Sequence, residues 1–290
     1  MLPILTLIRR YPTISYFALT FAISWGVVLI VAGPGGIPGT PEQQAELLPI
    51  MVLALLTGPS VAGLLTTGLV HGRAGLGELR SRLLRWRVRG RWYAVALLTA
   101  PLLVLATLLV LSLFSPDYLP GLFTSDEKAS LILIGLAYGL AAGFFEELGW
   151  TGVAIPQLRQ RCGVLATGLI VGVLWGAWHI IVAFWGSGDA AGALSLTLLL
   201  PQIAFYVAIL PAYRVLMVWV YDRTGSLFVA MLMHACLTAS VPLILMPPVT
   251  GMALSMWYLV LAAAMWAVVG AIVVASGGQI ARPRLNRRAA

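Results

Sequence analysis

Long apolar runs separated by short polar, glycine- or proline-bearing breaks recur from one end of this chain to the other. Eight of them, at 14–33, 48–70, 92–114, 129–147, 164–186, 193–216, 226–246 and 252–275, have the roughly 18 or more residues a helix needs to cross about 30 Å of hydrocarbon. In hydrocarbon the backbone donors and acceptors of each segment have to be satisfied within it, so the runs predict helices. The two-residue alternation of a membrane barrel is absent. The pattern therefore predicts an all-α integral membrane protein with about eight transmembrane helices.

Composition sharpens this. Of 290 residues, 60% are hydrophobic and 10% charged, whereas a soluble domain is about half apolar and a quarter charged. No segment is polar enough to form a soluble domain, and residues 1–290 read as a single polytopic membrane domain. Charge placement sets the orientation. If the N-terminus is cytoplasmic, segments 1–13, 71–91, 148–163, 217–225 and the tail after 276, together with Arg214 at the inner end of the sixth run, hold 17 of the 18 Lys and Arg residues. The other side has Lys128 and the acids Glu42, Glu46, Asp117, Asp126, Glu127 and Asp189. The positive-inside rule thus predicts both termini in the cytoplasm, N-in and C-in. Arg9 and Arg10 precede an uncleaved first span, since no small-residue cleavage site ends the run.

The net charge of +8 follows this topology and not a recognition motif, so the expected partners are membrane lipids and not nucleic acid. The segment around 71–91, with seven arginines and Trp86, reads as an interfacial helix. Cys162 and Cys236 suit neither a disulfide nor a thiolate metal site. Arginine outnumbers lysine 17 to 1, which points to a GC-rich prokaryote and hence a plasma membrane.

Candidate chemistry lies in the second half of the chain. Glycines four apart, at 135, 139 and 143 and again at 168, 172 and 176, let helices approach closely in lipid. Glu147 continues the first stripe, and His179 follows the second. Ionisable groups in a membrane cost about 2.5–3.5 kcal/mol on insertion scales and are functional candidates by default. Glu146 and Glu147 sit at the inner end of the fourth run, where the helix dipole disfavours acids. Adjacent helical residues point about 100° apart, so Glu147 is expected against a neighbouring helix and Glu146 on the face of Tyr138 and Ala142. Trp175 and His179 share one face of the fifth run, and His234 and Thr238 one face of the seventh.

Three ordered elements, Glu146-Glu147-Leu148-Gly149-Trp150, Trp175-x-x-x-His179 and His234-x-x-x-Thr238, together resemble the CPBP intramembrane proteases. That group contains the type II CAAX prenyl proteases and bacteriocin-immunity homologues. The resemblance covers roughly 130–245 as a catalytic core and includes Trp150–Leu158 and Arg223–Leu227. It implies an intramembrane endopeptidase, glutamic- or metallo-type, acting on a membrane-associated protein or peptide from a site toward the cytoplasmic side. It further implies that Glu146 activates water with help from His179 and that His234 and Thr238 stabilise the oxyanion; the adjacent carboxylates by themselves suggest a division of labour, one reactive and the other, as Glu147 would be here, supporting it. In a metalloprotease version Glu146, His179 and His234 would bind zinc.

Two positions depart from the family pattern. Thr151 stands where Arg is usual, removing an ion-pair partner for Glu147. Thr238 stands where Asn is usual. Glu147 is therefore expected to find another partner, from backbone amides, the Trp150 indole, Arg159, Arg161 or Arg214. Glu146, His179 and His234 are expected within roughly 4–8 Å of one another, lining a cavity open toward the cytoplasm or inner leaflet. The competing readings are a non-catalytic immunity or scaffold relative and an ion-coupled transporter.

Overall fold

The structure, a computed structural model, describes residues 3–278. The expected tail cations Arg282, Arg284, Arg287 and Arg288 lie outside the described residues. Among the described residues, eight helices are long and apolar enough to span a membrane: Pro12–Ala32, Pro41–Leu83, Gly90–Ser112, Lys128–Leu158, Val164–Trp185, Leu196–Thr224, Leu227–Ile244 and Gly251–Ala275. They are called the first to eighth spans below. Among the described residues the only extended pairing is an isolated bridge between Gly188 and Leu194. Large apolar side chains such as Ile30, Leu133, Leu140 and Val274 are exposed on the outer surface, as a lipid-facing belt requires. The chain is a multi-pass, all-α membrane protein.

Several spans run further than hydropathy alone indicates. The second begins at Thr40, whose hydroxyl accepts from the Gln43 amide while the Gln43 side chain accepts from Thr40 N–H, a reciprocal capping box. It continues past a break at Gly72, where φ is +59°, so most of the arginine-rich segment expected as an interfacial helix is a continuation of the second span beyond a kink. The sixth continues ten residues beyond Arg214 to Thr224, ending at Gly225 in the left-handed conformation, a regular helix stop. Arg214 is therefore not at the end of its span. It lies inside the bundle and is fully buried, a correction to the sequence reading.

Three widened π turns, Trp150–Ala154, Phe205–Ile209 and Ser240–Ile244, fall within or beside the candidate core. The third contains Pro242, and the first two end two residues before Pro156 and Pro211. A proline cannot donate to the carbonyl four residues back and clashes with it, so the helix loosens there. These turns supply Trp150, Tyr206 and the stretch beyond Thr238 to the site described below.

The glycine stripes act as expected. A Cβ on Gly139 would lie 2.5 Å from the Ala235 carbonyl oxygen, and one on Gly143 would lie 2.4 Å from that of Met231, so the fourth span packs backbone-to-backbone on the seventh. Gly168, Gly172 and Gly176 bring the fifth onto the sixth in the same way, against Val215, Pro211 and Tyr206. Gly143→Ala should therefore push the fourth span off the seventh. The expected cost is about 1–3 kcal/mol, read as lowered thermal stability in detergent.

Candidate active site

Glu146 and Glu147 end the regular part of the fourth span, and both carboxylates are buried. The 100° step between them sends them to different partners. Glu147 is fully enclosed. Both of its oxygens lie 2.8 Å from a terminal nitrogen of Arg214, and Oε1 is 2.7 Å from His234 Nδ1. The Thr151 hydroxyl donates to Oε2. Of the partners foreseen for Glu147, Arg214 is the one present, reaching it from the sixth span. Thr151, at the position expected to lose an ion pair, still donates a hydrogen bond.

Arg214 is held in turn by the face of Trp175, with its guanidinium carbon 3.9 Å from the ring centroid. Its Nε and second terminal nitrogen have no hydrogen-bond partner among the described residues. The Trp175 ring therefore supplies much of its remaining stabilisation, as a desolvated cation over an aromatic face does.

Glu146 has a different setting. Its Oε2 accepts from the Trp175 indole at 2.6 Å and from the Trp150 indole at 3.3 Å. His234 Nε2 is 3.8 Å from Oε1, too far for a direct hydrogen bond. One carboxylate oxygen is thus anchored by two rigid donors, and the other has no hydrogen-bond partner among the described residues. Along the same face, Tyr138, Ala142 and Glu146 line a cavity of about 550 Å³ together with His179, His234 and Thr238. The face assigned to Glu146 from helical spacing is the one observed.

The two histidines are oriented by different means. His234 directs Nδ1 at the Glu147 carboxylate, which requires a proton on Nδ1 whenever Glu147 is ionised. His179 sits at a break where the helix Val164–Trp178 gives way to Ile180–Trp185. Its Nδ1 lies 2.9 Å from the Trp175 carbonyl oxygen. A carbonyl can only accept, so this nitrogen carries the proton and Nε2 keeps its lone pair. The ring is stacked on Tyr206, with centroids 4.6 Å apart and planes 16° apart. Trp175 touches both histidine rings, at 4.9 Å from His234 and 6.1 Å from His179.

The three motif elements therefore share one cavity, with His234 rather than His179 nearest the carboxylates. The possible zinc set of Glu146, His179 and His234 does not assemble: among the described residues no three His, Cys, Asp or Glu side chains converge to hold a metal ion. His234 Nδ1 is committed to Glu147, Glu146 Oε2 to two indoles, and a buried guanidinium stands beside them. These donors do not fit a metal.

Sequence reasoning missed three contributors. Trp175 was read as sharing a face with His179, but its indole is the closest donor to Glu146. Trp150 was considered for Glu147 and serves Glu146. Tyr206 carried no local signal, because its relation to His179 exists only once the fifth and sixth spans are packed.

Among the described residues, the lining of this cavity includes none from the arginine-rich end of the bundle. Two hollows lie on that face, lined by residues such as Arg82, Arg85, Arg159 and Gln157, and neither contains Glu146 or His234. The cavity that holds them runs the other way, along Leu48, Val52, Trp185 and Gln202. Helical spacing reports which residues share a face but not where neighbouring helices splay apart.

Comparison with known proteins agrees with the motifs. Residues 128–240 match the family described as type II CAAX prenyl endopeptidase Rce1-like. A stretch of 71 residues is 34% identical to the "CAAX prenyl protease 2" of Methanococcus maripaludis. That stretch is 24% of this chain, which spans about a fifth of the relative's length (21%). Residues 128–240, the part of the chain that matches the Rce1-like family model, contain Glu146, Glu147, His179, His234 and Thr238.

Proposed function

We propose that this protein is an intramembrane endopeptidase whose water is activated by Glu146. The observation that carries the reading is the asymmetric setting of that carboxylate: Oε2 is fixed by the indoles of Trp175 and Trp150, Oε1 has no hydrogen-bond partner among the described residues, and the side chain lines a largely apolar cavity. Water bound at Oε1 gives a proton to Glu146 as its oxygen attacks the scissile carbonyl. Glu146 then passes that proton to the amine nitrogen as the C–N bond breaks. His179 Nε2, with its free lone pair, is a second acceptor on the same cavity.

The developing oxyanion needs donors aimed at it. Thr238 Oγ–H is one. His234 is the other when it is imidazolium, since its Nδ1–H is already given to Glu147 and only Nε2–H is available. Glu147 and Arg214 do not touch the substrate in this reading; they hold His234 in place. The catalytic core is residues 130–245 of a single membrane domain. The membrane is a prokaryotic plasma membrane with both termini in the cytoplasm, and the substrate is a membrane-associated protein or peptide.

The reading is tested by reconstituting the protein in liposomes with quenched fluorescent peptides carrying an apolar anchor. Cleavage is expected, and its absence for every such peptide would favour the non-catalytic immunity or scaffold reading that Thr238 invites. Thr238→Val is nearly isosteric and should leave folding intact while lowering kcat about 100- to 1,000-fold, the usual cost of one oxyanion donor. Unchanged turnover would remove Thr238 from the site.

A further inference from the structure

The segments that join the second span to the third, the fourth to the fifth and the sixth to the seventh emerge on one face of the bundle. At 71–91, 148–163 and 217–225 they carry ten arginines against two acids, Glu78 and Asp222. Three of these arginines, Arg82, Arg85 and Arg159, border a single hollow of about 600 Å³ together with Tyr221.

The protein fixes each of the three from behind. Arg159 is buried, and its Nε donates to Asp222 Oδ1 at 2.9 Å and its Nη1 to the Cys162 carbonyl. Arg82 donates from Nη1 to the Tyr221 hydroxyl at 3.1 Å, while its Nε lies 3.7 Å from the Glu78 carboxylate. Each guanidinium keeps its second terminal nitrogen without a partner among the described residues. Arg85 is placed through its backbone, whose carbonyl accepts from the buried Ser226 hydroxyl at 2.6 Å. Its Nη1 lies over Gly225, where a Cβ would come within 2.7 Å of it. Among the described residues the Arg85 guanidinium has no hydrogen bond or ion pair. The two acids do not offset it. Asp222 is held by Arg159, and the Glu78 side chain is 71% exposed, where water and salt screen it.

The neighbours of Arg85 set the level of the hollow in the membrane. Leu84 and Trp86 are both exposed, and Arg87 lies over the Trp86 ring, 4.9 Å from its centroid. Exposed tryptophan among arginines belongs at the headgroup layer.

We propose that this hollow binds a phosphate group, carried by the headgroup of an anionic phospholipid or free in solution. The donors are the Arg85 guanidinium and the second terminal nitrogens of Arg82 and Arg159. The planar guanidinium fork matches phosphate oxygens, and a surface with this excess of arginine concentrates anionic headgroups around it.

The bound phosphate has a structural consequence. Arg82 belongs to the helix beyond Gly72, which docks through Leu79, buried against Leu148, Leu227 and Met231. A Cβ on Gly152 would lie 2.7 Å from Leu79 Cδ1, so this helix supports the turn that follows Glu147 and Thr151. A phosphate shared by Arg82, Arg85 and Arg159 ties the same helix to the end of the fourth span a second time. Binding should therefore raise the unfolding temperature, whether or not the protein is a protease.

Lipid exchange followed by native mass spectrometry tests the site. The purified protein in detergent should retain dioleoylphosphatidylglycerol under conditions that remove dioleoylphosphatidylcholine, whose choline the arginines repel. Arg85→Gln breaks no contact among the described residues and should weaken retention about 10- to 100-fold, the effect of losing a hydrogen bond to a charged group. Arg73→Gln removes the same charge from an exposed position outside the hollow and should leave retention unchanged. Equal retention by all three proteins, or an equal loss in both variants, overturns the proposal, because the attraction is then diffuse. Unfolding temperature separates the two sources. Stabilisation by inorganic phosphate without lipid assigns a free anion, stabilisation by phosphatidylglycerol alone assigns the headgroup, and either should be lost in Arg85→Gln. A wild-type protein that neither retains phosphatidylglycerol nor responds to phosphate has no such site.

Discussion

Arg214→Met is expected to destabilise the protein by about 3–5 kcal/mol, the range for removing one partner of a buried ion pair. The cause is specific. Arg214 and Glu147 are both fully enclosed, 2.8 Å apart, and the methionine would leave a carboxylate in the bundle interior with only His234 and Thr151 to stabilise it. An unpaired buried charge costs far more than the pair itself contributes. Arg214→Met combined with Glu147→Gln should therefore recover most of the loss, because the charge is removed along with its partner. Thermal or denaturant unfolding in detergent measures all three variants. If Arg214→Met is as stable as the wild type, the buried pair is not the element that holds the fourth, sixth and seventh spans together.

That pair also shows where sequence reading stops. Each apolar run reports itself because lipid tolerates little else, so the number of spans and the glycine stripes were legible. Their lengths were not: the second span reaches Leu83 and the sixth Thr224, because a helix can continue where its side chains turn polar. A charge within an apolar run reads as the end of that run, which placed Arg214 at the headgroups. Its actual partner lies 67 positions away and is met only through packing. The split between Glu146 and Glu147 was readable from the 100° step, and so was the need for a substitute for the arginine absent at 151. The Trp175 indole on Glu146, the Tyr206 stack on His179 and the direction of the cavity depend on how helices tilt, which periodicity does not encode.

Glu146→Gln is expected to reduce turnover by about 100- to 10,000-fold, the range for a positioned general base, while leaving the fold intact. The amide keeps the shape of the side chain and an oxygen that can accept from the Trp175 and Trp150 indoles, but it cannot take a proton from water. Glu147→Gln should do the opposite, lowering stability first by weakening the contacts to Arg214 and His234. Comparing unfolding temperature and peptide cleavage for the two variants separates the roles. A stable but inactive Glu147→Gln protein beside an active Glu146→Gln protein would reverse the assignment.

The proposal that this membrane protein cleaves peptide bonds through Glu146 is tested most directly by its products in the cell. Mass spectrometry of protein termini in membrane fractions expressing wild-type or Glu146→Gln protein at equal abundance should reveal a set of new termini only with the wild type. Their scissile bonds should lie in apolar segments of membrane-anchored proteins. Identical termini in the two samples, with both proteins folded and present, would contradict the account.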